Sequence, residues 1–393
     1  MALLDNHDAA LLTQETWNEK DSSPGLDWKQ QLNPVIESAR FVHKHTDLVK
    51  INQVGVKAAA RHIYSSINNE GYSPYSWRNH PLHLQPPQNY SPLDYRTKSC
   101  LNWIFLISSL NFSFWSEKEG TSQESQRFAV EWREGWGIKR KKIWTGYWSL
   151  VAAINKALEA NIPITDPFFY SSKIICPDAI LENVFRPAAG CSECVPLLTE
   201  RISIMREVGV ILVSKFGGSY AGLLSHFIAK YSNQGTALQL VEMIVEEFPP
   251  FRDEALLEGR KVFFWKRAQI IVAETWAAFY PPPDSLEPHP FFPRGIGQLT
   301  MFADYRVPQI LHHLSIMSYP QSLLSLLDSH ASLPSGCRQE LSIRAASILA
   351  VEAVRDEIAQ IRCESSLTTK LPVYGDEGIP SVMIDFFLWD LGE

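Results

Sequence analysis

Residues 337–361 read CRQELSIRAASILAVEAVRDEIAQI, and Ile343, Ala346, Leu349, Ala350, Ala353 and Ile358 mark out one apolar stripe of a long α-helix. The same period continues outward in both directions. Candidate helices run over 195–215, 220–231, 235–247, 264–279, 308–313 and 319–327. Earlier in the chain, Pro34 follows Asn33 at the place where a helix opens, and Val35, Ile36, Ala39 and Val42 share its face. Further helices are expected over 54–67 and over 147–158, the latter closed by Asn161 and Pro163. The apolar run 101–110 fits a buried helix or a strand equally, because periodicity does not separate the two. Between Phe128 and Trp144 aromatic and charged residues alternate around Gly135 and Gly137, which predicts a short hairpin. There is no βαβ alternation and no internal repeat, so a nucleotide-binding parallel sheet is disfavoured. The expected architecture is mainly α: a single helical domain over 32–393 with a small β-hairpin and Pro-rich connections. Residues 1–31, polar and punctuated by Asp21-Ser22-Ser23-Pro24-Gly25, are expected to form a mobile extension.

Composition narrows the function classes. Of 393 residues 45% are apolar and 20% charged, enough material for a sizeable core. A formal net charge of −7 argues against a chain whose main task is to hold a nucleic-acid backbone. The 12 Trp, 13 Tyr and 20 Phe serve packing in the first place, and stacking on a flat ligand in the second. The start, Met1-Ala2-Leu3-Leu4-Asp5, lacks a basic region followed by a long apolar run, and no apolar run is long enough for a membrane span, so a cytoplasmic location is expected. Cys191-Ser192-Glu193-Cys194 has the spacing of half a zinc site, but no second pair stands at a suitable distance. His43 with His45, and His312 with His313, lack the i, i+4 spacing of a helical metal clamp. No metal and no cofactor are expected. The basic cluster Lys139-Arg140-Lys141-Lys142 reads as a solvated face before it reads as a phosphate site.

The chemistry-bearing stretch is Thr300-Met301-Phe302-Ala303-Asp304-Tyr305-Arg306-Val307-Pro308, a carboxylate between two aromatic rings at the mouth of a helix. An acid in apolar surroundings holds its charge uneasily, as catalytic carboxylates often do. Asp304 is equally suited to capping the helix that Pro308 helps to start. Both readings stay open on this segment alone. Near the end, Ile384-Asp385-Phe386-Phe387-Leu388-Trp389-Asp390 embeds two acids in an apolar run. A helix there sets Asp385 beside Trp389 and turns Asp390 about 140° away from Asp385. They serve either as structural links or as receivers of polar or cationic ligand groups, since a buried carboxylate needs a partner.

Six motifs in order carry a family resemblance. They are Leu110-Asn111-Phe112-Ser113-Phe114-Trp115-Ser116-Glu117, Gly146-Tyr147-Trp148-Ser149-Leu150 with Ile162-Pro163-Ile164-Thr165, Lys215-Phe216-Gly217-Gly218-Ser219, Phe264-Trp265-Lys266-Arg267-Ala268-Gln269 with Trp276, the Thr300–Arg306 stretch, and Asp385–Asp390. Together they resemble the queuosine salvage family of nucleotide N-glycosylases, from about residue 35 onward. Relatives are expected to continue past the position of Glu393. The resemblance implies a fold similar to helical DNA glycosylases and hydrolysis of queuosine 5′-monophosphate to queuine and ribose 5-phosphate. It implies that Asp304 matches the catalytic aspartate, and that Phe302, Asp385, Phe386 and Asp390 match base-contacting positions. His83, in Leu82-His83-Leu84-Gln85-Pro86, matches a further ligand contact.

The implied chemistry suits these residues. N-glycosidic cleavage passes through an oxocarbenium-like sugar that a carboxylate stabilises, or for which it orients the attacking water. Queuine is a 7-deazapurine and lacks the N7 through which ordinary purines accept a proton, so more of the barrier must be lowered at the sugar. Its secondary amine is cationic near neutral pH, and Asp385 or Asp390 is placed to pair with it or to accept from its cyclopentene diol. For the 5′-phosphate Lys266 is the first candidate, ahead of Arg267, Lys215 before its Gly-Gly turn, and Arg306. The expected partner is a small nucleotide substrate, queuosine 5′-monophosphate, acted on by a monomer, with no polymeric nucleic acid and no membrane. Two other classes are weighed against this. A glycosylase of polymeric nucleic acid calls for a basic track, and a non-catalytic queuine carrier has no need of Asp304.

Overall fold

The 337–361 stripe becomes the 27-residue helix Arg338–Glu364, the spine of the molecule. Its burial is broader than one stripe: Leu341, Ala345, Ala346, Ile348, Ala350, Val351, Val354 and Ile358 are covered, while Ile343, Leu349 and Ala353 are only partly so. Neighbours explain the breadth. Helices Pro34–Thr46 and Gln53–Asn69 pack along it, as do Arg306–His313 and Ser381–Leu391. The alanines let these axes approach closely, as ridge-into-groove packing requires. A computed structural model describes residues 31–282, 285, 287–329, 332–364 and 378–392; the extension expected over 1–31 lies outside them except for Gln31. Among the described residues there are fifteen helices and three pairs of short antiparallel strands, so the chain is mainly helical.

The ambiguous run at 101–110 is a helix, Tyr95–Ser109, started by the Asp94 carboxylate, which accepts from the Arg96 amide at 2.8 Å. Every residue from Cys100 to Ser109 is buried, which is the pattern of a helix surrounded on all sides. Lys266–Ala278, Tyr220–Lys230, Leu198–Lys215 and Gly146–Glu159 pack around it. The first helix is capped by Asn33, whose carboxamide accepts from Val35 N at 2.9 Å and donates to Gln269 Oε1 at 3.2 Å and Gln298 O at 3.0 Å. One polar side chain thus starts a helix and ties it to the centre.

The expected hairpin is present as Ala129–Arg133 paired with Lys141–Thr145, in the register Ala129 to Thr145 and Arg133 to Lys141. The sequence reading anticipated one hairpin; the structure has a second, Glu254–Leu257 with Arg260–Phe263. Its two turn residues, Glu258 and Gly259, both have positive φ (51° and 79°), as a two-residue hairpin turn demands. A third pairing joins Lys50–Ile51 to Met317–Ser318. Beside it Gly55 is required, because a Cβ there would stand 2.1 Å from the Ser315 carbonyl oxygen. Among the described residues no single helix is long and apolar enough to cross a membrane.

Candidate active site

The stretch 299–305 is neither helix nor strand, so its buried backbone groups need partners from elsewhere. Three are supplied by different helices. Gln269, fully buried in helix Lys266–Ala278, accepts from Thr300 N and donates to Thr300 Oγ1, both at 2.9 Å. Phe302 N donates to Asp385 Oδ1 at 2.9 Å, and Arg344 Nε donates to the Ala303 carbonyl at 3.1 Å. Asp304 Oδ1 then accepts from Arg306 N at 2.9 Å and Val307 N at 3.0 Å, where helix Arg306–His313 begins. Pro308 sits third in that helix, where a missing N–H leaves no gap. Asp304 is therefore a cap, and its half-buried side chain also lines a cavity. One oxygen does the capping, and the other is not used by the helix.

That cavity has a volume of about 1230 Å³, and its wall includes Phe302, Asp304, Asp385, Phe386, Asp390, His83 and Lys266 together. Lys266 opens its helix after Trp265, whose φ of 49° turns the chain sharply. Its amide donates to Asp253 Oδ2 at 3.1 Å, and its Nζ donates to Asn111 O at 3.1 Å and Asn111 Oδ1 at 3.3 Å. Burial lowers its pKa, and the nearby Asp304 carboxylate opposes that shift. Asp253 also accepts from Arg344 Nη1 at 2.9 Å. Arg344 and Asp253 thus form a bracket joining the Asp304 loop to the Lys266 turn.

The other face belongs to helix Ser381–Leu391. Asp385 points inward and is 3% exposed, whereas Asp390, five residues on, is exposed. Burial pushes the Asp385 carboxyl well above its ordinary range, helped by the charge of Asp304 and opposed by the Phe302 amide and Lys266. Asp390 Oδ2 accepts from Tyr72 Oη at 2.6 Å; although the residue as a whole is open to solvent, partial desolvation of its carboxyl at the rim raises this acid, with the Tyr72 bond pulling it back. The Phe302 and Phe386 rings stand 5.9 Å apart at 55°. His83 Nδ1 lies 2.6 Å from the Trp77 carbonyl, which only accepts, so Nδ1 carries the proton. Burial lowers its pKa to about 3, leaving Nε2 a neutral acceptor near pH 7.

Several residues that build or line the site are not singled out by the sequence. Arg201, fully buried, donates to the carbonyls of Leu110 and Phe112 at 2.6 Å, Ser113 at 2.9 Å and Pro196 at 2.8 Å, and so shapes the loop that presents Asn111 to Lys266. Glu274 lies in the wall with Tyr147, Trp148 and Trp389. Its signal was visible as a lone acid in the otherwise uncharged run 268–279. Lys215 does not line the cavity; it pairs with Glu247 at 2.6 Å on the surface. Arg267 is engaged with the carbonyls of Ser109 and Pro250, and Arg306 Nη1 donates to Gly392 O at 2.6 Å. The Cys191 and Cys194 thiols are free and sit in a loop outside the cavity. A carboxylate beside a cation, with flat aromatic walls and further acids held toward their protonated forms, is an arrangement suited to gripping a heterocycle and stabilising positive charge next to it.

The family described as queuosine salvage protein matches residues 91–393. The chain is 38% identical over 368 residues to the Schizosaccharomyces pombe protein named queuosine 5′-phosphate N-glycosylase/hydrolase, covering 92% of each. The Mus musculus protein of the same name is 35% identical, over 90% of this chain and 91% of its own. The like-named Sphaerobacter thermophilus protein is 30% identical, over 91% and 90%.

Proposed function

The chain belongs to the queuosine salvage protein family, and from that premise we propose that it hydrolyses the N-glycosidic bond of queuosine 5′-monophosphate. The products are queuine, salvaged for tRNA modification, and ribose 5-phosphate. The observation that carries the reading is the convergence of Asp304, Lys266, Phe302, Phe386, Asp385, Asp390 and His83 on one cavity from four separate stretches of chain.

In the reaction the bond from the anomeric carbon to the base nitrogen breaks, its electron pair leaves with the base, water adds its oxygen to the sugar, and the proton it gives up ends on the base nitrogen. Asp304 faces the anomeric carbon. Its oxygen outside the helix cap stabilises the oxocarbenium-like sugar and orients the water, while the capping bonds keep the carboxylate from turning away. Phe302 and Phe386 hold the heterocycle, Asp385 meets its polar edge, and Asp390 with His83 receives the polar groups of its side arm. Lys266 meets the 5′-phosphate, whose negative charge favours the ammonium that burial disfavours. The catalytic unit is the helical domain 32–393, working as a cytoplasmic monomer on a small nucleotide.

Incubation with queuosine 5′-monophosphate, followed by chromatography of free queuine, tests the proposal. Release by the wild type and loss of turnover in a folded Asp304→Asn variant are expected. Wild-type-like release by that variant removes Asp304 from the chemistry. Binding without release by the wild type makes the protein a carrier.

A further inference from the structure

Glu274 is a buried acid in the cavity wall that the reaction as proposed leaves unused. It is 6% exposed and lies on the same face of its helix as Lys266 and Ile270, which also line the cavity. Eight residues of helix put it about 12 Å along the axis from Lys266. Its carboxyl accepts from Ser108 Oγ at 3.2 Å and from Tyr147 Oη at 3.4 Å, both neutral hydroxyls. Lys266 on its own helix is the nearest influential cation, and Tyr147, Tyr220 and Cys100 on the packed helices all feel its charge. Among the described residues no lysine or arginine makes an ion pair with it. A carboxylate has room for about four hydrogen bonds, and two are taken. Burial accordingly pushes its pKa up to about 7. A buried acid in this position lacks a counter-charge, and leaving it ionised is costly until one arrives.

The surrounding wall is aromatic. The Tyr147 and Trp148 rings stand 5.0 Å apart, Tyr147 and Trp389 5.7 Å, and Trp148 and Trp389 5.5 Å, all steeply inclined to each other. His80 stacks on Trp148 at 3.8 Å and stiffens that ring. Inclined aromatic faces beside a buried carboxyl are the chemistry of a site for an organic cation. Resting on the glycosylase reading of this cavity, we propose that Glu274 with Tyr147, Trp148 and Trp389 forms a cation-recognition subsite for the secondary ammonium on the base's side arm. Asp390 is the weaker counter-ion because it stands at the rim, open to water that screens its charge, whereas Glu274 is 6% exposed. Asp390 is left for the diol of the same arm. The subsite makes the enzyme select 7-deazapurines that carry an amine over those that do not.

The test uses full-length protein and three free bases in calorimetric titrations. Queuine has the amine and diol, 7-aminomethyl-7-deazaguanine has an amine alone, and 7-deazaguanine has neither. Glu274→Gln is expected to weaken the first two at least about tenfold, the scale of one lost hydrogen bond to a charged group, and to leave the third within about twofold. Trp389→Leu, which spares the acid, should weaken the two amines more than 7-deazaguanine. Equal weakening of all three bases by Glu274→Gln, or no weakening of any, overturns the subsite. Hydrolysis of queuosine 5′-monophosphate by the wild type is followed in parallel. Amine selectivity without hydrolysis defeats the glycosylase reading and leaves the cation site standing; hydrolysis without amine selectivity does the reverse.

Discussion

The two ends of the cavity treat charge in opposite ways. At the Asp304 end, charged groups are bracketed: Arg344 holds Asp253 and Ala303, Asp253 holds the Lys266 amide, and Asp304 is fixed by two helix amides. At the Trp389 end, Glu274 and Asp390 are met by neutral hydroxyls from Ser108, Tyr147 and Tyr72, and desolvation raises both acids, buried Glu274 to about 7 and rim-placed Asp390 through its partly desolvated carboxyl. A charge that must act on a reacting sugar has to be present and aimed before substrate arrives, since preorganisation is where electrostatic catalysis gains. A charge that only recognises a cation is better left to form when the cation enters.

The largest effect is expected where the first end is disarmed. Asp304→Asn keeps an oxygen that caps the helix, so unfolding free energy should change by less than about 1 kcal/mol. Its kcat should fall roughly 1000-fold, as when a transition-state stabiliser is removed. Steady-state kinetics together with urea titration separate the two, and a large stability loss with modest rate loss would make Asp304 chiefly a cap. Arg344→Met strands Asp253 without its ion-pair partner. We expect a loss of about 3 kcal/mol or more in denaturant unfolding, with reduced kcat because the Ala303 carbonyl is released.

The second end is probed by pH. The Glu274 carboxyl sits at about 7 in the folded chain against an ordinary 4.5, so the folded state keeps a proton that the unfolded state gives up. Stability from this group is therefore full below pH 4.5 and is lost as pH climbs to 7, by up to about 3 kcal/mol. Glu274→Gln should be flat across that window and more stable than the wild type at pH 8. Equal pH dependence of the two melting curves would show that the carboxyl is not strained. Smallest is Tyr72→Phe, which deletes the bond to Asp390 at the rim. Its KM for the nucleotide should rise about fivefold, corresponding to about 1 kcal/mol, with kcat unchanged. A fall in kcat instead would tie Asp390 to the reacting end.

Much of this was legible beforehand, for a physical reason. Helices carry their period in the chain itself, so the spine at 337–361 and the helix after Asn33 could be read directly. The hairpin Glu254–Leu257 with Arg260–Phe263 escaped because strands of four residues offer too few alternations, and only its Glu258-Gly259 turn spoke for it. The run 101–110 stayed ambiguous because a helix covered on every side shows no periodicity. At the site, Asp304 between its aromatic neighbours stood out. Arg344, Asp253 and Arg201 did not, since an arginine that braces carbonyls looks the same in sequence as one in water.

By itself the sequence determined the helical class, the Asp304 segment and the family, because local periodicity and ordered motifs are written in neighbouring residues. Only the tertiary structure decided that Asp304 is a cap with an oxygen to spare, that Lys266 and Ala303 share one bracket, and that Glu274 lies among aromatic rings with no ion-paired lysine or arginine among the described residues. Those facts depend on which distant groups meet, and on water being absent where they do. Burial changes what a carboxyl is, and burial belongs to the fold rather than to any residue.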